Sequence, residues 1–341
     1  VVSKEIDVSP MAKSSARALA LDEAELLSDA THPHIVSLYD QLEFGGRVFL
    51  VMQRALGGDL HDHITQAPGG RLSLAESKRI FAQLILALDY LHKRHIVHVY
   101  VVLLRRASPV AAVRALCGGA GYCCRCRRAT RRGTIKRAKS RPARFGARSG
   151  RHRNSLPPAR RFVLLRRTLA GWLVCGLRCC SDIKPDNIFL DENHNVLLGD
   201  FGLSQRFEPR GGCGIEARYG TLYYSAPEAL LGGRVFGPEL DVWSAGAVLY
   251  VMLRGRYPFW GPSDDATVVS ICSDEPQWPA WFTPDAIDLL SRMMCKNSSR
   301  RISISKVKRH PFIKDEIRKL SLNCCTQPDD DGLFGPAGAL D

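Results

Sequence analysis

The chain has no apolar run approaching the ~18 residues that a membrane-spanning helix needs. Its nearest candidate, "FVLLRRTLAGWLVCGL" at 162–177, is short and interrupted by two arginines. No signal-peptide pattern opens it, and the first residue is Val rather than Met, so the start is expected to be incomplete and the protein cytoplasmic or nuclear. Acidic residues are missing from one long stretch: Val99–Ser181 holds 19 Arg, 2 Lys and no Asp or Glu. That block carries +21 in a chain of net charge +14, which leaves −7 for the rest. A charge that first suggests a nucleic-acid binder therefore belongs to an acidic protein with a basic interruption. A disulfide framework is also missing. Seven of the twelve cysteines (117, 123, 124, 126, 175, 179 and 180) fall in the block, and the other five are scattered, which suits a reducing compartment.

Within 99–181 neither helical nor strand periodicity survives beyond a few residues, and unpaired cations repel one another, so disorder is expected there. Arginines can grip phosphates. The block's aromatics are only Tyr100, Tyr122, Phe145, Phe162 and Trp172, so the expected nucleic-acid binding is non-specific. Its adjacent cysteines do not match the two-residue gaps of zinc sites, and His152 has no helpful spacing.

Outside the block the texture is that of ordered protein. "VVSKEID" reads as a strand, "ALALDEAELLSDA" as a helix and "RVFLVMQ" as a buried strand. "SLAESKRIFAQLILALDYLHKRH" is the clearest helix: Ser73 and Glu76 form a capping box, and Ile80, Phe81, Leu84, Ile85, Leu88 and Leu91 share one face. "PELDVWSAGAVLYVML" is apolar enough to be a buried helix, and "DAIDLLSRMM" is amphipathic. The tail "NCCTQPDDDGLFGPAGALD" reads as disordered.

The chemistry concentrates in "SDIKPDN" and "GDFGLS". Phosphoryl transfer asks for metal ligands, cations on the phosphates and a carboxylate beside the attacking hydroxyl, and this pair supplies hard oxygen ligands in order. The pair resembles the catalytic and metal loops of the eukaryotic protein kinases. The resemblance implies ATP and Mg2+ as cofactors and a protein Ser or Thr hydroxyl as acceptor. It implies that Asp182 orients that hydroxyl and takes its proton, that Lys184 neutralises the moving phosphate, and that Asn187 and Asp200 hold magnesium beside Phe201 and Gly202.

Other landmarks follow the family's order. "VVSK" makes Lys4 the phosphate-contacting lysine, with Glu23 its partner on the next helix. "VFLVMQRALGGDL" resembles the hinge, with Met52 as gatekeeper, Gln53 and Ala55 offering backbone groups to adenine, and Asp59 near the ribose. By the same resemblance "GTLYYSAPE" would place Thr221 and Glu228 in the loop that receives the peptide, Asp241 would anchor the catalytic loop, and Arg301 would pair with Glu228. "KPDN" resembles the Ser/Thr kinases, and "FGPELDVWSAGAVLYVMLRGRYPF" is most similar to the calmodulin-dependent and AMP-activated group. Asp59 hints at basic residues near the phosphoacceptor, whereas Val251 stands where basophilic relatives often carry an acid.

Three departures follow. The family's His is His98, 84 positions before Asp182, so 99–181 takes the place of one arginine and is expected to be a translated non-coding segment that disturbs the placement of Asp182. "GIEARYG", with Glu216 and Ala217, stands where a phosphorylatable Thr is common, and no Gly-rich loop precedes Lys4. The expected fold is α+β and two-lobed, a truncated β-rich lobe plus a larger helical lobe. Residues 1–98 form the partial small lobe, hinge and start of the large lobe; 99–181 are the disordered basic insert; 182–320 complete the large lobe; 321–341 are a disordered tail. His98 is expected to stack with Phe201, Leu27 and Leu38 across the lobes. Two rivals stay open: a catalytically inactive scaffold using its helical lobe, and a nucleic-acid-associated protein acting through the insert.

Overall fold

The computed structural model describes residues 1–8, 16–102, 178–202, 204–207, 215–216, 222–231, 234–235 and 237–324. The interior of the basic block, with Cys123, Cys124, Cys126 and Cys175, and the tail beyond Cys324 lie outside these residues, as do the expectations made for them.

The smaller, strand-rich lobe is one antiparallel sheet with a helix on it. Strand β1 (Val2–Asp7) is followed by helix α1 (Ala16–Ser28), then β2 (Leu38–Phe44) and β3 (Arg47–Met52). The strand order is β1-β3-β2, with Lys4 opposite Leu50. Strand alternation turns Lys4 and Ile6 inward and leaves Ser3 and Glu5 exposed. Ala20 and Ala24 of α1 pack on Val48 and Leu50, and these four make the small core.

The helical lobe is built on α3 (Leu74–Lys93), preceded by the short α2 (Leu60–Gln66). Ser73 caps α3 by accepting a hydrogen bond from the Glu76 amide. The Glu76 carboxylate goes instead to His63 at 2.8 Å, so only half of the expected capping box forms. All six apolar residues expected on one face of α3 are fully buried, each worth ~1.5–3 kcal/mol relative to exposure. They face the long helix Gly237–Arg254, which is buried along nearly its whole length.

Between these helices the chain forms short pairs. After α3 come β4 (Ile96–Val97) and β5 (Val99–Val102); β6 (Arg178–Ser181) follows the block, then β7 (Ile188–Leu190), β8 (Val196–Leu198) and β9 (Gln205–Arg206). β5 and β6 pair antiparallel, Val99 opposite Ser181 and Val102 opposite Arg178. Thus the first and last four residues of the block, expected to lack structure, form a ladder that brings its two ends together. Beyond β9 lie α4 (Pro227–Leu231), α5 (Gly237–Arg254), α6 (Asp264–Ser273), α7 (Pro284–Met293), α8 (Ile304–Val307) and α9 (Lys314–Cys324). No described helix is long and apolar enough to cross a membrane.

Candidate active site

The site is joined by a run of hydrogen bonds that crosses the block. Immediately after β4, the His98 carbonyl accepts from the Asp182 amide at 2.9 Å. Asn187 Nδ2 donates to the Asp182 carbonyl at 3.0 Å and to its Oδ2 at 2.8 Å. Lys184 Nζ lies 3.4 Å from Asp182 Oδ1. The Asn187 carbonyl accepts from the Gly199 amide at 3.1 Å, and the Gly199 carbonyl is 2.9 Å from His98 Nε2. The expected disturbance of Asp182 is absent: the β5–β6 ladder delivers both ends of the chain to one place, and the Asp182 amide closes on His98.

Asp200, next in the chain, sits at φ +56°, a left-handed conformation uncommon for a residue with a side chain. The turn aims its carboxylate at the small lobe. Lys4 Nζ bridges there, 2.8 Å from Asp200 Oδ1 and 2.8 and 2.9 Å from the two oxygens of Glu23. Gly202 is tightly held, since a Cβ on it would stand 3.0 Å from Glu23 Oε2 and 3.4 Å from Lys4 Nζ.

These charges set one another's titration. Burial works against the charged form of Lys4, but Glu23 and Asp200 outweigh it and hold its pKa above the ordinary lysine value. For Asp200 burial pushes upward, yet the Lys4 ammonium wins and the carboxyl titrates below the usual range. In Glu23, almost wholly enclosed on the buried side of α1, burial prevails over Lys4 and the pKa is raised.

Behind these charges lies a packed support. The His98 and Phe201 rings meet edge to face at 5.0 Å, with Leu27 buried and Leu38 partly buried in the same core. Asp241, fully buried on α5, accepts from the His98 amide at 3.2 Å through Oδ2. The same oxygen is 2.8 Å from His92 Nε2. His92 was missed in the sequence; its position one turn after Leu88 on the buried face of α3 was the available signal. Farther along, the two guanidinium nitrogens of Arg301 reach Glu228 at 2.6 and 2.9 Å.

The residues expected at the hinge lie at the end of β3 and just after it. Met52 is half-buried at its end, against both cores. The Gln53 amide donates to the Ser37 carbonyl at 2.9 Å, and among the described residues the Ala55 amide has no backbone acceptor. Asp59 is the N-cap of α2, accepting from the Asp62 amide at 2.8 Å. Thr221 lies outside the described residues.

The donor set fits a hard cation and a phosphate. Asn187 spends its Nδ2 on Asp182, which leaves its oxygen as the group on offer. Asp200 gives one oxygen to Lys4, and among the described residues the other has no partner. Hard oxygen donors of this kind suit magnesium, and an ammonium beside them suits a phosphate. Among the described residues no separate cluster of three or more His, Cys, Asp or Glu could hold a metal.

Comparison with known proteins identifies the family. The family model described as protein kinase domain matches residues 1–101 and 179–313, stepping over most of the basic block. A sucrose non-fermenting protein kinase 1 from Fusarium virguliforme is 27% identical over 86% of this chain and 30% of its own length. A carbon catabolite-derepressing protein kinase from Candida glabrata is 28% identical over 94% of the chain and 38% of its own. The human SNF-related serine/threonine-protein kinase is 25% identical over 86% and 27%. The chain thus spans about a third of the length of the curated relatives it matches. Because that model matches well over half of the chain, on both sides of the insertion, this chain belongs to the protein kinase domain family.

Proposed function

We propose that the chain transfers the γ-phosphoryl group of ATP, with Mg2+, to a serine or threonine hydroxyl of a protein. One observation carries the reading: Lys4 bridges Glu23 and Asp200 while Asp182 is locked to Asn187 on the same bonded circuit. Bound magnesium and nucleotide supply the electrophilic phosphorus and neutralise its oxygens.

The chain's own residues do the remaining work. Asp182 receives the acceptor hydroxyl and takes its proton; its hydrogen bond from Asn187 fixes which way the carboxylate faces. Lys184, beside it, offsets charge on the group in transit. Lys4 is held by two carboxylates, so its ammonium is positioned for phosphate oxygens before they arrive, at little reorganisation cost. Asn187 and Asp200 would hold the metal through the oxygens that their other contacts leave over. Gln53 and Ala55 would offer backbone groups to the base, with Met52 beside them, and Asp59 would meet the ribose. Thr221 and Glu228 belong to the segment that receives the peptide, Glu228 braced by Arg301.

The test is nucleotide binding and transfer by the full chain. Mg2+·ATP should raise the melting temperature, ATP with chelator should not, and radiolabelled γ-phosphate should pass to Ser- and Thr-containing peptides. Asp200→Asn should abolish the magnesium-dependent shift, and Asp182→Asn should keep the shift but slow transfer by ~10²–10⁴. A chain that shows neither shift nor transfer overturns the reading.

A further inference from the structure

Away from the bonded circuit, α7, α8 and the turns around them border an open surface cavity of about 430 Å³ whose walls are mostly cationic. Some of that charge is already spent. Arg301 is engaged by Glu228, the Glu239 carbonyl and the Cys295 carbonyl. Arg292 and His310 take the two carboxylate oxygens of Asp288, both at 2.9 Å. Three cations remain: Arg300, Lys306 and Arg309 are exposed, line the same cavity, and among the described residues their side chains have no acidic partner. This contrasts with their neighbours, since Lys308 is paired with Asp89 and Lys319 with Glu316. Ile302 and Pro311 supply apolar lining between the cations.

We infer that this cavity is a docking site for an acidic, partly apolar peptide segment of a partner protein. Charge complementarity argues for it: three uncompensated cations facing one concavity repel one another, and an anionic segment relieves that repulsion and gains charge-assisted hydrogen bonds. The apolar lining gives an aliphatic side chain a place to bury. Nucleic acid fits less well, because no Phe, Tyr or Trp lines the cavity to stack a base. The inference does not depend on phosphotransfer and can fail without it.

The basic block could capture the same peptide, so the experiment must separate the two. A fluorescein-labelled peptide of Glu and Leu is titrated with the full chain at ~0.15 M salt, where loose surface attraction is screened. Replacing Arg300→Glu, Lys306→Glu and Arg309→Glu together should weaken binding by about tenfold or more. Replacing Arg141→Glu, Arg144→Glu and Arg148→Glu in the block should change it less than about twofold. The three pocket residues are exposed, so the melting temperature should hold; if the triple glutamate chain does not fold, the corresponding alanines serve. Retained binding in the pocket variant, or equal loss in both, overturns the inference. So does a single-stranded oligonucleotide that displaces the peptide and itself depends on the pocket residues.

Discussion

The two lobes use the same interaction, an ion pair, for different ends. In the helical lobe the Arg301 side chain is completely buried and grips Glu228, with its guanidinium 5.1 Å from the ring centre of the fully buried Trp243. In the strand-rich lobe Lys4 is about a third exposed, its sheet has a small core of its own, and β2 presents Tyr39, Leu42 and Phe44 to solvent. A buried pair that loses a partner strands a charge without water, whereas a wetter pair can be rescued by solvent or a proton. The Arg301–Glu228 pair is therefore built for stability, whereas the Lys4 pair keeps its charge within reach of a ligand.

That contrast can be broken most directly at Arg301. Arg301→Ala should cost ~3–5 kcal/mol, read as a lower urea midpoint for the whole helical lobe; a change below about 1 kcal/mol would put this pair in the same class as Lys4. Next, Leu50→Ala should remove ~2–3 kcal/mol from the small sheet. Hydrogen exchange should show 1–8 and 16–52 opening while α3 and α5 stay protected. Loss of protection in both would mean that the lobes unfold as one unit and the comparison fails.

Smaller effects sharpen it. Replacing residues 103–177 by a two-residue Asn-Gly turn should leave the helical lobe folded, because the β5–β6 ladder and the Asp182–His98 bond lie outside the deletion. Each halving of a loop is worth only ~0.6 kcal/mol, so the melting temperature should rise slightly, and Mg2+·ATP should still shift it. The smallest expected stability change is that of Lys4→Met, below about 1 kcal/mol at pH 5, although nucleotide binding should be lost. Its sign with pH is specific. Glu23 already titrates above its ordinary value, and without Lys4 it is pushed higher. A group with a raised folded pKa contributes its stability at low pH and loses it as the pH climbs through that pKa. Thermal melts of Lys4→Met should therefore fall between pH 5 and pH 8 relative to the unmodified chain, and a flat difference would show that Glu23 is not the stranded group.

Much of this was legible in the residues. The face of α3 followed from its apolar spacing and its start from Ser73, because local propensity and packing agree there. "DIKPDN" and "GDFGLS" were legible because, in that order, they resemble the catalytic and metal loops of the protein kinases. The ladder at the ends of the block was not legible. "VYVV" at 99–102 is β-branched enough for a strand, but a four-residue signal beside a long arginine-rich stretch is swamped, and its partner is some 76 residues away. The Glu76 carboxylate likewise preferred His63 to the start of its own helix, and helix periodicity does not report such a choice.

By itself, then, the sequence determined which segments could be helix or strand and which groups could hold phosphate and metal, since these depend on neighbours a few positions away. The tertiary structure decided whether those groups meet. Lys4, Glu23 and Asp200 come from three distant segments, and Asp182 reaches His98 only because two short strands pair across the insertion. Such contacts are set by packing and by the closure of long loops, and no local pattern encodes them.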